Sequence, residues 1–354
     1  MDKETILLAH GSGGTMMRGL IEDVFFDVYG SDVLKKGDDA AVLALPTDAA
    51  SLAFTTDSFV VTPHFFPGGD IGRLAVCGTV NDLATSGARP LWLSVAFVLE
   101  EGFALADLRR ICSSMAQAAR EADVHIVTGD TKVVNRGHGD GIYINTSGVG
   151  VLKSDARAHR DGRDLKEGLS GTRCEPGDCI LVSGTLGDHG IAIISSRENL
   201  SFSSTIESDV APLNHLIAAT LDAAPHTRCF RDPTRGGLAS TLNELAEQSD
   251  TIMTVDEDAI PVRDQVRGAC EMLGYDVLQV ANEGKIVCVV AADETDAALA
   301  AMRASRYGKD AALIGEVSAP GAKRSKAPRV YVRTAFGSKR ILDMLVGEQL
   351  PRIC

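Results

Sequence analysis

Residues 153–178 read KSDARAHRDGRDLKEGLSGTRCEPGD, a polar stretch rich in charge and glycine with two leucines for apolar bulk. No helical stripe or strand alternation crosses it, so it reads as the connection between two folded parts. Before it, apolar runs punctuated by glycine alternate with helical stretches. AAVLAL (40–45), SLAFTT (51–56), LWLSVAFVL (91–99), VHIVTG (124–129) and IYINTSGVGV (142–151) read as strands. Helices are expected over 15–30, where Met17, Leu20, Ile21, Val24, Phe25 and Val28 share a face, and over about 70–86 and 105–122. After the connection, CILVSG (179–184), DVLQVA (276–281), KIVCVVAA (285–292), AALIGEV (311–317) and RVYVR (329–333) read as strands, and GGLASTLNELAEQ (236–248) as a helix. Strands and helices intermix on both sides, so each part is α/β or α+β. The expected domains are 1–155 and 156–335. Residues 336–354, weakly periodic and ending in Cys354, are expected to form a mobile tail.

The bulk composition narrows the partners. No run of about 18 apolar residues exists, so no membrane span is expected. The opening MDKETILLAHGSGG is too short and wrongly charged for a secretory signal. A cytoplasmic location with reduced thiols is therefore expected for the eight cysteines. A net charge of −13 argues against nucleic acid, although polyphosphate can bind an acidic protein through metal ions. CEPGDC (174–179) holds the closest cysteine pair; a turn at Pro176-Gly177-Asp178 is favoured over a metal site.

Four stretches of the first part place an aspartate beside small residues next to an apolar run: KGDDAAV (Asp38, Asp39), FTTDSFVV (Asp57), TVNDLATSGA (Asn81, Asp82) and VTGDTKVV (Asp130, Lys132). Caps and turns explain any one of them. If their strand ends converge, the carboxylates repel one another unless a cation lies between, and hard oxygen ligands suit Mg²⁺ shared with phosphates. HGSGG (His10–Gly14) precedes the first helix and offers backbone N–H groups to phosphate, or merely caps it. RDPTRGG (Asp232, Arg235, Gly236) is a second possible anion site, or a proline turn feeding a helix. In VANEGK, Glu283 is either a turn residue or a carboxylate held at a strand end to take a proton.

In their order, HGSGG, GDDAAV, TTDSFVV, GTVNDLATSGARP, TGDTKVV, DPTRGG and ANEGK resemble the ATP-binding superfamily that includes aminoimidazole ribonucleotide synthetase and selenophosphate synthetase. The terminal PRIC narrows the resemblance to the carbamoyl dehydratases of nickel–iron hydrogenase maturation. The resemblance implies an N-terminal α/β domain whose sheet pairs with that of a second chain in a homodimer. It also implies a C-terminal α+β domain, with ATP in the groove between domains. It implies Mg²⁺ on Asp39, Asp57, Asp82 and Asp130. Nucleotide contacts would come from Gly11, Ser12, Gly13, Gly14, Asp57, Asp82, Asp130, Lys132, Asp232, Arg235 and Gly236. A partner carbamoyltransferase would load Cys354, ATP would drive dehydration to a thiocyanate, and an iron-scaffold maturation complex would accept the cyanide.

That chemistry is consistent with the residue types. An amide oxygen leaves poorly as hydroxide and readily as phosphate, so phosphoryl transfer to it followed by elimination gives the nitrile. Glu283 is the candidate base for the N–H protons, and Lys132 offsets phosphate charge or assists proton removal. Cys354 is then a carrier whose sulfur must visit three places. Two other readings are an ATP-dependent synthetase of a soluble product, in which Cys354 is dispensable, and a non-catalytic ATP-responsive docking protein.

Overall fold

The computed structural model describes residues 5–11, 14–36, 40–153, 165–198, 200, 205–320, 329–344 and 353–354. Ser12, Gly13, Asp38, Asp39 and Arg352 lie outside the described residues. Helical turns α1 (Gly14–Leu20) and α2 (Asp27–Tyr29), joined through Ile21–Phe26, lead into β1 (Ser51–Phe59) and the small ribbon β2 (Phe65–Phe66) and β3 (Gly69–Asp70). Next come α3 (Ile71–Thr85), β4 (Arg89–Glu100), α4 (Leu105–Glu121), β5 (His125–Val134) and β6 (Ile142–Leu152). The four long strands form one sheet in the order β1-β6-β4-β5, and α4 is the crossover between the parallel pair β4 and β5. Asp70 starts α3: its Oδ1 accepts the N–H groups of Gly72 and Arg73 at 2.8 and 2.9 Å. Helix α4 buries Leu108, Ile111, Cys112 and Met115 on the sheet and turns Arg109 and Arg110 outward. Helix α3 is apolar nearly all round and buried nearly all round, because sheet, α4 and the second domain enclose it.

The opposite face of the sheet is open. Leu52 and Phe54 of β1 are 57% and 71% exposed, against odd-numbered neighbours that point to α3. AAVLAL, read as a strand, is irregular, with Val42 87% exposed and Leu45 54% exposed. The run pairs with no strand of this chain, although β1 and β5 are edges of the sheet.

The second domain comprises β7 (Cys179–Val182), α5 (Asp188–Arg197), α6 (Asn214–Ala223), β8 (Thr227–Arg231), α7 (Gly237–Ser249), β9 (Ile252–Asp256) and α8 (Asp264–Leu273). It continues through β10 (Val287–Val290), α9 (Thr295–Ala304), β11 (Ala312–Ser318), β12 (Val330–Arg333) and β13 (Lys339–Ile341). Its sheet runs β13-β12-β9-β11-β7-β10-β8. The pairs are antiparallel except β9 with β12. DVLQVA is not a strand: Asp276 Oδ1 accepts the Leu278 N–H at 3.0 Å and closes a single helical turn over Val277–Gln279. The sheet also takes in 339–341, which the sequence reading placed in the tail. β13 pairs with β12, and Leu342 is buried.

The two domains are stitched together. Asn81, 2% exposed on α3, donates to Ala211 O at 3.1 Å and accepts from the Leu213 N–H at 2.7 Å. Arg73 pairs with Glu121 at 2.9 Å within the first domain and donates to Val210 O of the second at 3.0 Å; Tyr307 and Arg306 also reach Glu121. One apolar core runs through both domains, from Ile71, Leu74 and Val76 to Ile191, Val266 and Ile353.

Candidate active site

The site is built on three second-domain loops welded to one another. Asn282 is wholly buried; its Oδ1 accepts the Gly187 N–H at 2.7 Å, and its amide donates to Pro233 O and Val280 O, both at 3.0 Å. Asn282 thus ties the loop before α5, the loop before α7 and the ANEGK loop into one frame. Gly284 is forced by a close approach, because a Cβ there would lie 1.8 Å from Asp209 O. Asp209 Oδ1 accepts the Glu283 N–H at 3.0 Å, and Lys285 Nζ stands 3.1 Å from its Oδ2. Gly236 and Gly237 hold φ of +77° and +59° at the start of α7, and the turn they make swings Arg235 out toward the domain junction.

Into this frame the first domain contributes two acids. Asp57 lies on the inward face of β1, its Oδ1 accepting the Ser58 N–H at 2.8 Å. Asp82 lies on α3 and accepts from Thr55 Oγ1 at 3.0 Å. Burial, with Asp232 and Asp57 nearby, pushes the Asp82 carboxyl up to about 7, against the Thr55 hydrogen bond. Burial also raises Asp57, with Arg235 opposing, and raises Asp232 beside Asp57. Glu283, 4% exposed, is held well above the usual carboxylate range by burial first and then by Asp232, Asp209, Asp57 and Asp82. Its Oε1 has no hydrogen-bond partner among the described residues. The structure therefore gathers Asp57, Asp82, Asp232, Arg235 and Glu283 around one point between the domains.

Cys354 is at the same point. Burial raises its thiol pKa, Glu283, Asp57 and Asp232 raise it further, and Arg235 opposes them. Ile353 is 4% exposed within the common core, and its carbonyl accepts from His189 Nε2 at 2.7 Å. The expected mobile end of the chain is thus seated in the site, because Ile353 supplies an apolar anchor and its carbonyl a buried acceptor.

Gly11, Asp130 and Lys132 are placed elsewhere. On β5, Asp130 pairs in register with Ala96, then Asn145 and Ser58, whereas Asp57 shares its row with Thr146 and Val95. Asp130 and Lys132 flank the buried Thr131 and so point to the open face, three strands or about 14 Å from β1. Lys132 Nζ is 3.5 Å from Asp130. Gly11 packs on the same strand: a Cβ would lie 2.6 Å from Val133 N. Gly14 begins α1 nearby. A cavity of about 320 Å³ opens there, lined by Met17, Phe25, Phe97, Ile126 and Asp130 among others.

The donor set tests the metal reading. Crowded carboxylates at Asp57, Asp82 and Asp232 call for a cation, yet among the described residues no three acids, histidines or cysteines stand close enough to hold one alone. A hard cation that keeps part of its shell for phosphate oxygens is what such a set fits. At the other cysteine pair, Gly177 turns at φ +99° within CEPGDC, and the Cys174 sulfur lies 3.6 Å from that of Cys229, not beside Cys179. The sequence reading missed Asp209 and His189, since ESDVAP and GDHG carry no pattern beyond ordinary turn and helix-start chemistry.

Comparison with known proteins agrees with this geometry. Residues 37–152 match the family model of the AIR synthase related protein N-terminal domain, and residues 175–326 that of its C-terminal domain. Carbamoyl dehydratase HypE of Rhodobacter capsulatus is 53% identical over 351 residues, 99% of this chain and 98% of the relative. The crystal structure of hydrogenase maturation protein HypE in complex with ATP superposes with a TM-score of 0.91 at 47% identity, covering 99% of this chain and 100% of that one. A HypE–HypF complex superposes with a TM-score of 0.77 at 47% identity over 92% of this chain and 99% of that one.

Proposed function

The chain belongs to the carbamoyl dehydratase HypE family of hydrogenase maturation, and on that premise we propose that it uses ATP to dehydrate the S-carbamoyl group of its own Cys354 to a thiocyanate. One observation carries the reading: Cys354 lies in the field of Glu283 inside the carboxylate group, with the adjoining carbonyl held by His189.

The residues suit the two halves of the reaction. In the first, the carbamoyl oxygen forms a bond to the γ-phosphorus and ADP leaves. In the second, both N–H protons are lost, the C–O bond breaks, and the oxygen departs with phosphate as the C≡N bond completes. Glu283 is the base. Burial, with Asp57, Asp82, Asp232 and Asp209 around it, favours its protonated form. When charge at Asp57 and Asp82 is neutralised, its pKa falls and the carboxylate is free to accept a proton from nitrogen. Asp57 and Asp82 would hold Mg²⁺, which when bound offsets the phosphate charge during transfer. Arg235 stands where it can offset the same charge.

Asp39 and Asp130 as further Mg²⁺ ligands, and Asp130, Lys132, Gly11, Ser12, Gly13 and Gly14 as nucleotide contacts, complete the proposed set. Asp130 and Lys132 face the open side of the first sheet, so their contribution would be made across a homodimer with that face at the interface. The exposed Leu52 and Phe54 support this arrangement. A carbamoyltransferase is the proposed partner that loads Cys354, in keeping with the solved HypE–HypF complex, and an iron-scaffold complex is the proposed acceptor of cyanide. No described helix is long and apolar enough to cross a membrane.

The test is peptide mass spectrometry of the C-terminal fragment after incubation with the carbamoylating partner, then with ATP and Mg²⁺. An adduct on Cys354 that loses one water only with ATP is the expected result. A Cys354 that is never modified, or an adduct indifferent to ATP, would overturn the reading.

A further inference from the structure

We propose that His189 positions the tail for the dehydration step: its Nε2–H holds the Ile353 carbonyl and thereby sets the Cys354 sulfur against Glu283. The proposal rests on the dehydratase reading and adds to it the residue that seats the substrate.

The imidazole is wholly buried on the first turn of α5 and bonded at both nitrogens. Nε2 lies 2.7 Å from Ile353 O, and Nδ1 lies 2.8 Å from Ser208 Oγ. A carbonyl only accepts, so Nε2 carries the hydrogen; Nδ1 is then the acceptor and the Ser208 hydroxyl donates to it. Burial lowers the imidazole pKa, which keeps the ring neutral and in that one tautomer. Ser208 is itself fixed. Its Oγ accepts the Val210 N–H at 3.2 Å and its N–H donates to Pro67 O at 2.8 Å. Gly68 allows that approach, since a Cβ there would lie 2.6 Å from Ser208 O. Phe66 meets the ring edge-on with centroids 5.7 Å apart. The donor therefore points at the tail from a position that both domains hold rigid.

The bonded carbonyl belongs to the peptide that joins Ile353 to Cys354. Between that planar peptide and the sulfur only two rotations remain, φ and χ1 of Cys354. Fixing the carbonyl, with Ile353 anchored in the core, leaves the reacting group a small set of positions, which is the way orientation lowers a barrier. Glu283 is among the charged groups that act on that sulfur. His189 touches neither the carbamoyl group nor the phosphates, so it acts through the tail.

Seating and loading make opposite demands on the sulfur, and this separates the proposal from a purely structural role. In the full chain, alkylation of Cys354 by iodoacetamide, read at the C-terminal peptide, is expected to run about tenfold faster in His189→Ala, the loss of one buried hydrogen bond. Single-turnover dehydration of the pre-carbamoylated chain is expected to slow by about tenfold or more, with the KM for ATP unchanged. His189→Gln, which keeps an amide donor at similar reach, is expected to restore both. The proposal fails if alkylation is unchanged in His189→Ala, if both rates fall together, or if the Gln variant behaves as Ala. The alkylation comparison needs no carbamoyl group, so it stands apart from the dehydratase reading, which fails only if the parent chain never loses water.

Discussion

Near neutral pH Asp82 is poised at its own midpoint, with a carboxyl pushed up to about 7 by burial, Asp232 and Asp57. Its folded pKa lies above the ordinary carboxylate value, so the folded state prefers the protonated form. Stability tied to that proton is present below about pH 4 and is lost as pH rises to about 7. Asp82→Asn removes the repulsion. Without nucleotide, the variant should be more stable than the parent at pH 8 by on the order of 2 kcal/mol, a gain that vanishes toward pH 4. Urea unfolding at the two pH values measures it, and an Asn variant no more stable at pH 8 would mean that the acids do not crowd. The same variant should lose most of the rise in melting temperature that Mg²⁺ with ATP gives the parent. Asp57, Asp82, Asp232 and Glu283 were legible in the sequence because each acid stands in a short polar stretch, among small or turn-forming residues next to an apolar run. Their convergence was not, because it depends on how the domains close. Asp209 and His189 were invisible for a further reason: what distinguishes them is a partner about 70 or more residues away along the chain, Glu283 for one and Ile353 for the other.

Long elements were read from the chain at nearly their observed bounds: α3, α4, α7, β4 and β6 bury their apolar residues, whereas β1 leaves Leu52 and Phe54 exposed. AAVLAL and DVLQVA went wrong where composition is strand-like but the backbone has other partners. One pairs with no strand of this chain although β1 and β5 are open edges; in the other, Asp276 closes a turn. Asn81 shows the same limit from the other side. Between Val80 and Asp82 on a helix it looked like one more polar residue of an acidic motif, yet it is the clasp between α3 and the second domain. Asn81→Ala would leave Ala211 O and the Leu213 N–H buried without partners. The expected cost is about 3 kcal/mol. Chemical denaturation would show it, and a loss under about 1 kcal/mol would mean that the clasp contributes little.

For the whole molecule, the open face of the first sheet is the first thing to test. Phe54 is 71% exposed and beside Leu52, so Phe54→Lys should leave the single chain folded while lowering its tendency to pair. Sedimentation should then report two chains for the parent and one for the variant; one chain for both would remove the homodimer from the reading. The shared apolar core has a separate consequence, for how the protein comes apart. The first-domain residues Ile71 and Leu74 and the second-domain residues Ile191 and Val266 belong to a single packed body. The second domain also has a core of its own around Leu242, Val255 and Val332, but melting either domain would strip the shared body of half its packing, so the chain should unfold cooperatively, with one peak in scanning calorimetry. A site assembled from both halves then has no half-folded form: on heating, the carboxylates, the clasp at Asn81 and the seat of Cys354 disappear together.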